Sequence, residues 1–132
     1  MASDEIPVLT DLQLAVMRVL WGRGAATAAE VTDELRPSRG LAQTTVATVL
    51  SRLEKRGIVD HDTQARQFVY RPLVSEPDAR RSMVAELTER LFGGDSAALV
   101  SHLLTARQFS KADLARVKAM LAEHERGKEA RK

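Results

Sequence analysis

Apolar side chains recur every three or four residues in three early segments of the chain, which is the spacing of one buried face of an amphipathic helix. Capping-box sequences, Thr-x-x-Gln and Thr-x-x-Glu, precede the first two segments and mark helix starts. Pro37 is predicted to stop the second helix, and Gly57 to stop the third as a left-handed cap. The first two helices are predicted over about residues 11–21 and 28–36, and the third carries the apolar stripe Val46, Val49, Leu50 and Leu53.

The hydrophobic period changes after Gly57. Residues 58–61 and 67–70 are rich in β-branched and aromatic side chains, and this pattern predicts a β-hairpin with a polar loop at 62–66. Because side chains alternate along a strand, Phe68 and Tyr70 are predicted to share one face and to pack together on the helices.

Three further helices are predicted in the rest of the chain. Ser75 and Ser110 each have an aspartate three residues later, which is again the spacing of a helix start. Asp95 or Ser96 opens the helix between them. Glycines at 93–94 and at 127 are predicted to end the first and the last of the three helices.

Three compact helices followed directly by a hairpin are the components of a winged helix-turn-helix, whose third helix enters the major groove of DNA. The sequence therefore predicts a mainly α fold with a small β-hairpin. We expect a winged helix-turn-helix DNA-binding domain in residues 1–73 and a three-helix dimerisation domain in residues 74–132.

The third helix has an outward face that carries no acidic side chain. At about 100° per residue this face lies opposite the buried stripe, and its short hydroxyl groups can bond phosphate oxygens or base edges. The tip of the hairpin suits a contact with a flanking phosphate. The predicted DNA-binding residues are Thr44, Thr45, Ala47, Thr48, Ser51, Arg52, Lys55 and Arg66.

Each assignment has a structural alternative. The Thr and Ser side chains could form an ordinary solvated face, although threonine lowers helix propensity by several tenths of a kcal/mol. Arg52, Lys55 and Arg56 could instead complement the negative end of the helix macrodipole, and Arg66 could be a solvated turn residue. Trp21 is predicted to be a core residue rather than a base-stacking platform.

Charge is unevenly distributed along the 132 residues, of which 44% are hydrophobic and 29% charged. Residues 1–35 carry two basic and six acidic side chains, a net charge of −4, whereas residues 36–71 carry seven basic and three acidic, a net charge of +4. The second segment is the candidate phosphate-binding surface, because phosphate contacts need concentrated positive charge. A solvated face of the same charge is the alternative.

Several classes of function are disfavoured by the composition. Cysteine is absent, which excludes disulfides, thiolate metal sites and cysteine nucleophiles. The acid-His-acid triplets at 60–62 and 123–125 point neighbouring side chains in different directions, so we expect no metal site, no cofactor and no catalytic centre. No apolar run approaches the roughly 20 residues of a membrane span, and the N-terminus does not resemble a signal peptide. We expect a cytoplasmic protein.

The last three helices carry an apolar stripe that a small helical appendage can scarcely bury alone. A second copy related by a two-fold axis would cover the stripe and present two recognition helices about 34 Å apart, as a palindromic operator requires. Packing back on the winged domain of the same chain is the alternative. The residues predicted to form the dimer interface are Met83, Leu87, Leu91, Leu99, Leu103, Leu114, Val117 and Leu121.

A resemblance to the BlaI/MecI penicillinase-repressor family is carried by residues 44–74, which read TTVATVLSRLEKRGIVDHDTQARQFVYRPLV. This run resembles the recognition helix and wing of that family. The Leu20-Trp21 pair and the wing pattern Arg-x-Phe-x-Tyr-x-Pro at 66–72 fit the family as well. The resemblance covers nearly the whole chain, including the three C-terminal helices.

The resemblance implies a cytoplasmic homodimer that represses β-lactamase or related genes until a membrane sensor metalloprotease triggers its cleavage. The best-known members are cut at an Asn-Phe bond in the fifth helix, where this chain has His102-Leu103, the candidate cleavage region. The copper-responsive branch of the family uses C-terminal cysteines, and the absence of cysteine excludes that branch.

Three other functions compete with a penicillinase-type repressor. A winged-helix adaptor would use its wing or C-terminal stripe to bind a protein. A repressor of a non-antibiotic regulon would respond to a different trigger. An enzyme would have to use histidines that the sequence scatters.

Overall fold

The computed structural model describes residues 8–106 and 108–130 of the chain. Within these residues the fold is mainly α with a small antiparallel sheet, and the prediction of the fold class is confirmed. The elements are α1 Asp11–Arg23, β1 Ala26–Thr27, α2 Ala28–Arg39, α3 Gln43–Lys55, β2 Val59–Gln64, β3 Gln67–Pro72, α4 Glu76–Phe92, α5 Ser96–Thr105 and α6 Lys111–Ala130.

The chain divides into two compact units, the first ending at Leu87 and the second beginning at Thr88. This boundary lies inside α4 because Met83 packs against the core of the first unit and Ala79 is buried. Trp21 is half-buried in the same unit, and its indole Nε1 donates a hydrogen bond to the carbonyl of Val74 at 2.8 Å. The functional division at residue 73 stays a prediction.

A single apolar core joins the three helices of the first unit to its sheet. Fully burying a large apolar side chain contributes about 1.5–3 kcal/mol to stability relative to leaving it exposed. The buried side chains of α3 therefore fix which face of that helix turns toward the core. The largest fully buried side chains are Val16, Met17, Leu20, Val31, Val46, Leu50, Leu53, Ile58 and Val59.

Both predicted capping boxes form. Thr10 accepts a hydrogen bond from the backbone of Gln13 at the start of α1, and Thr27 accepts one from Glu30 at the start of α2. In return, the backbone N–H of Thr27 donates to the Glu30 carboxylate at 2.8 Å, and this bond lowers the pKa of Glu30. Each box satisfies two backbone donors that a helix start leaves without partners.

The predicted end of α2 at Arg36 is wrong, because the helix continues through Pro37 to Arg39. Pro37 lies in the last turn, where the surrounding residues are exposed and water can solvate the carbonyl that loses its partner. The helix ends at Gly40, which has left-handed φ and ψ of 60° and 39°.

The end of α3 is a Schellman motif, as the position of Gly57 predicts. The N–H of Ile58 donates to the carbonyl of Leu53 and that of Gly57 to the carbonyl of Glu54, both at 3.0 Å. Gly57 has φ of +77°, and Ile58 is buried next to it. The motif turns the chain from α3 directly into β2.

A Gly57→Ala variant is expected to lose about 1–2 kcal/mol of unfolding free energy, because a side chain at positive φ is strained. Space is open around both Gly57 and Gly22, so the backbone alone decides the result. Gly22→Ala inside α1 should instead gain about 0.5–1 kcal/mol. Urea unfolding of the two variants measures the difference, and equal stabilities would contradict the left-handed cap.

The sheet has three strands in the order β1-β3-β2, all antiparallel, and β1 was not predicted. Residues Ala26 and Thr27 pair with Tyr70 and Val69 of β3. A two-residue strand is too short to show a hydrophobic period, and Thr27 also caps α2. The small strand ties the base of the hairpin to the start of α2.

The hairpin strands β2 and β3 are longer than predicted and leave a two-residue turn, Ala65-Arg66, in place of the expected loop at 62–66. Both turn residues have positive φ, of 49° and 66°, which is typical of a type I′ turn. Tyr70 is buried, but Phe68 is 50% exposed, so the prediction that both rings pack on the helices is wrong for Phe68. Phe68 lies nearer the tip, beyond the reach of β1.

The last three helices begin where the sequence predicts. Ser75 and Ser110 accept hydrogen bonds from the backbones of the residues three positions on, and Asp95 caps α5. The predicted end of α6 near Gly127 is wrong, because the helix runs to Ala130. A single glycine costs a helix only about 1 kcal/mol, too little to end one of this length.

Candidate nucleic-acid interface

Helix α3 turns one face into the core and the opposite face to solvent. Thr44, Thr45, Thr48 and Ser51 are exposed on the outward side, as their spacing predicts. The hydroxyl of Thr48 donates to the carbonyl of Thr44 at 3.0 Å, so its proton is engaged within the helix and its oxygen remains as an acceptor. The short side chains of this face allow close approach of a duplex.

The start of α3 differs from the starts of α1 and α2. Its N-cap residue is Ala42, which offers no side-chain hydrogen bond. The first N–H groups of the helix are therefore not capped by a side chain and lie beside the exposed Thr44. Such a helix start attracts anions. Sequence reasoning missed this feature, although the absence of Ser, Thr, Asp or Asn at position 42 signals it.

Four of the seven cations in residues 36–71 are used inside the chain. Arg36 pairs with Asp33, Arg39 with Asp11, and Arg71 with Asp60 and Asp62. Arg56 donates to the side chain of Gln13 at 2.9 Å and to the carbonyl of Val8 at 3.0 Å. These four side chains already have partners within the first unit.

Arg52, Lys55 and Arg66 are the remaining cations of the segment. All three are exposed, and none forms an ion pair with any residue in the described ranges 8–106 and 108–130. Arg52 and Lys55 lie in the last turn of α3, and Arg66 lies at the tip of the hairpin. The structure therefore leaves available the three cations that the sequence assigns to DNA.

A groove of about 240 Å³ runs between the start of α2, the flank of α3 and strand β3. Ala47 lines it and is half-buried, so this residue lies beside the exposed face rather than at its centre. Burial and, secondarily, the charge of Glu54 raise the pKa of Tyr70 on the groove's inner side. The full lining is Thr27, Ala28, Ala29, Gln43, Ala47, Gln67, Phe68 and Tyr70.

Glu54, Asp60 and His61 form a cluster whose ligand atoms lie within 4.8 Å of one another. The prediction that neighbouring side chains of the 60–62 triplet point in different directions holds only within β2. Across the turn, His61 contacts Glu54 of the preceding helix. These donors are already engaged: His61 Nδ1 lies 2.8 Å from a Glu54 oxygen, and Asp60 pairs with Arg71. The chemistry of a metal ligand set is present, but each group also has a protein partner.

The residues predicted for dimerisation differ in exposure. Met83 packs against the core of the first unit, and Leu99, Leu103 and Val117 are half-buried. The other four are exposed: Leu87 (43%), Leu91 (69%), Leu114 (36%) and Leu121 (58%). Further exposed apolar side chains that were not predicted accompany them: Val84, Val100, Leu104 and Met120.

A family model described as penicillinase repressor matches residues 9–123 of the chain. The protein belongs to the penicillinase repressor family. This is a family of repressors and not of enzymes, so the expectation that the protein is not an enzyme is confirmed. The resemblance to BlaI and MecI is confirmed with it.

Individual members of the penicillinase repressor family match along most of the chain. The penicillinase repressor of Bacillus licheniformis is 30% identical over 124 residues, which are 94% of this chain and 97% of the relative. The methicillin resistance regulatory protein MecI of Mammaliicoccus sciuri is 22% identical over 113 residues, 86% of this chain and 92% of the relative. The solution structure of the DNA-binding domain of the repressor BlaI covers 56% of this chain and 90% of its own, with 36% identity and a TM-score of 0.50.

The candidate cleavage region of this penicillinase repressor lies in α5. His102 is exposed and Leu103 half-buried, and the ring of His102 lies 5.9 Å from that of Phe92 between centroids.

Across the described ranges, the helices lack the combination of length and apolar content that crossing a bilayer requires.

Proposed function

We propose that this protein is a transcriptional repressor that binds a palindromic operator in duplex DNA. One observation carries the proposal: the exposed hydroxyl face of α3 ends in Arg52 and Lys55, cations without an ion pair among the described residues. Family membership supports it, because the relatives are named as repressors. The similarity to the DNA-binding domain of BlaI, which covers 56% of this chain, supports the same function.

In the proposed complex α3 lies in the major groove. Thr44, Thr45 and Thr48 contact base edges and thymine methyl groups near the helix start, with Ala47 and Ser51 beside them. Arg52, Lys55 and Arg66 bind backbone phosphates, which fix the register of the helix on the duplex. Thus the helix reads sequence and the cations supply most of the affinity.

A homodimer built from residues 74–132 completes the proposal. Within the described residues, eight large apolar side chains of these helices are exposed, including Leu91 and Leu121. Exposed apolar surface of this kind is typical of an interface. Two copies related by a two-fold axis place two α3 helices on half-sites one helical turn or more apart.

We further propose that the operator controls a β-lactamase or related gene in the cytoplasm, and that proteolysis relieves repression. The names of the relatives support the target, and a membrane sensor metalloprotease is the proposed protease. Exposure of His102 supports cleavage near His102-Leu103. A non-antibiotic regulon with another trigger is the alternative, because His102-Leu103 differs from the Asn-Phe bond that the family resemblance implies at this position.

DNase I footprinting on the promoter region of the protein's own gene tests the proposed function. An inverted repeat should be protected at sub-micromolar protein. Absence of any protected repeat would contradict the proposal and favour the adaptor, which needs no DNA. The genes beside the repeat, in particular a β-lactamase or a membrane metalloprotease, distinguish the two regulons.

Salt dependence separates the three proposed phosphate contacts. Replacing Arg52, Lys55 or Arg66 singly with Gln is expected to lower the slope of log K against log salt concentration by about 0.9 per lost contact in each DNA-bound chain. Arg36→Gln is the matched control, because Arg36 pairs with Asp33, and it should leave the slope unchanged. Equal slopes in all four variants would place the phosphate contacts elsewhere.

A further inference from the structure

A side-chain hydrogen bond joins the end of α3 to the hairpin at His61, which pairs with the buried Tyr70 of β3. The Nδ1 atom of His61 in β2 lies 2.8 Å and 2.9 Å from the two carboxylate oxygens of Glu54 in the last turn of α3. A carboxylate only accepts hydrogen bonds, so Nδ1 carries the proton and donates it. Both side chains are half-buried between helix and strand.

The other side of the His61 ring packs on aromatic residues of β3. It stacks on Phe68 with the ring centroids 4.0 Å apart and the planes at 19°, and Tyr70 lies 5.5 Å away. A histidine can donate to Glu54 and stack on Phe68 at the same time, because its ring is planar and carries an N–H at the edge. This arrangement gives Phe68, which lies outside the core, a stacking partner on the hairpin.

In the described part of the chain, the outer hairpin at residues 63–68 has no hydrogen bond or ion pair to the helices. Strand β1 pairs with β3 only as far as Val69, and the ion pairs of Arg71 join the two strands of the hairpin to each other. A two-stranded hairpin is at best marginally stable by itself. The direction of the tip, and with it Arg66, therefore depends on the strand pairing and on the Phe68 ring, which stacks on His61 where Glu54 holds it.

We propose that Glu54 and His61 are positioning residues that hold the wing at a fixed angle to α3. This proposal rests on the proposed function of DNA binding. With the contact formed, Arg66 reaches a backbone phosphate while α3 occupies the groove. Without it, α3 binds alone and the phosphate contact of the wing is lost.

Operator affinity of Glu54→Ala as a function of salt tests the proposal. Removing a negative charge close to DNA should by itself strengthen binding, because the carboxylate repels phosphate. We expect the opposite: operator affinity should fall by about fivefold to tenfold. The slope of log K against log salt concentration should also decrease by about 0.9 per chain. Tighter or unchanged binding with the wild-type slope would overturn the proposal.

Two further variants separate the hydrogen bond from charge and from stacking. Glu54→Gln loses the same charge as Glu54→Ala but keeps an oxygen that accepts from His61, so most of the affinity should return. His61→Phe keeps the ring against Phe68 but lacks the N–H, and should behave like Glu54→Ala. Equal loss in Glu54→Ala and Glu54→Gln would overturn the positioning role.

A double-variant cycle with Arg66 identifies the wing as the part that moves. Arg66→Gln should cost less affinity in the Glu54→Ala background than in the wild type, because the contact is already lost. Strictly additive losses would overturn the proposal. Circular dichroism confirms that each variant is folded at the temperature used. A wild type without operator binding contradicts the proposed function itself, whereas a binding wild type with an unaffected Glu54→Ala contradicts only the positioning role.

Discussion

A Thr48→Glu variant is expected to lose operator affinity by at least about 100-fold, because its carboxylate would lie against phosphates and base acceptors. Thr48 lies at the centre of the exposed face of α3, and nothing in the core depends on its side chain. Fluorescence anisotropy with a labelled operator duplex measures the loss. The oligomeric state and the unfolding midpoint should stay close to those of the wild type.

An Ala97→Glu variant is the control for added charge. Ala97 is exposed in the first turn of α5, where an acidic side chain is compatible with the helix dipole. It changes the net charge by the same amount as Thr48→Glu but outside α3. Equal losses in the two variants would mean that the net charge, and not the face of α3, determines binding.

A Leu121→Asp variant is expected to disrupt the proposed homodimer and to be monomeric. Leu121 is 58% exposed in one chain, and a buried, unpaired carboxylate at a two-fold interface would be strongly unfavourable. Loss of the second half-site contact should lower affinity for the full palindrome by roughly 100-fold, whereas affinity for a single half-site should not change. Sedimentation equilibrium gives the oligomeric state.

The matched control for Leu121→Asp is Ala119→Asp on the same helix. At 100° per residue, position 119 points away from the stripe formed by Leu114, Val117 and Leu121. Both substitutions place an aspartate in α6, so any general weakening of the helix is shared. Monomers in both variants, or dimers in both, would contradict an interface on this stripe.

Local signals in the sequence predict most of the fold. The capping boxes at Thr10 and Thr27 and the left-handed Gly57 act within one turn of the chain, so their residue types determine the geometry. Strand β1 and the continuation of α2 through Pro37 depend on tertiary pairing and on solvent access, and neither leaves a local pattern.

The candidate site likewise combines features that the sequence predicts with features that it does not. The outward face of α3 follows from helical periodicity alone, and Thr44, Thr48 and Ser51 lie where it predicts. Which cations are free could not be predicted, because the partners of Arg39 and Arg56 come from α1 and the segment before it. The contact of Glu54 with His61 likewise joins two elements across a turn.

The absence of cysteine allows a unique probe to be placed on each surface. A single Ser51→Cys, Ala65→Cys or Ala97→Cys substitution can carry an iron chelate that cleaves nearby DNA. We predict that the Ser51 probe cuts inside both half-sites of the footprinted repeat and the Ala65 probe cuts in the flanking backbone, with no cutting from Ala97. Cleavage from position 97 without cleavage from position 51 would show that α3 is not the helix that binds DNA.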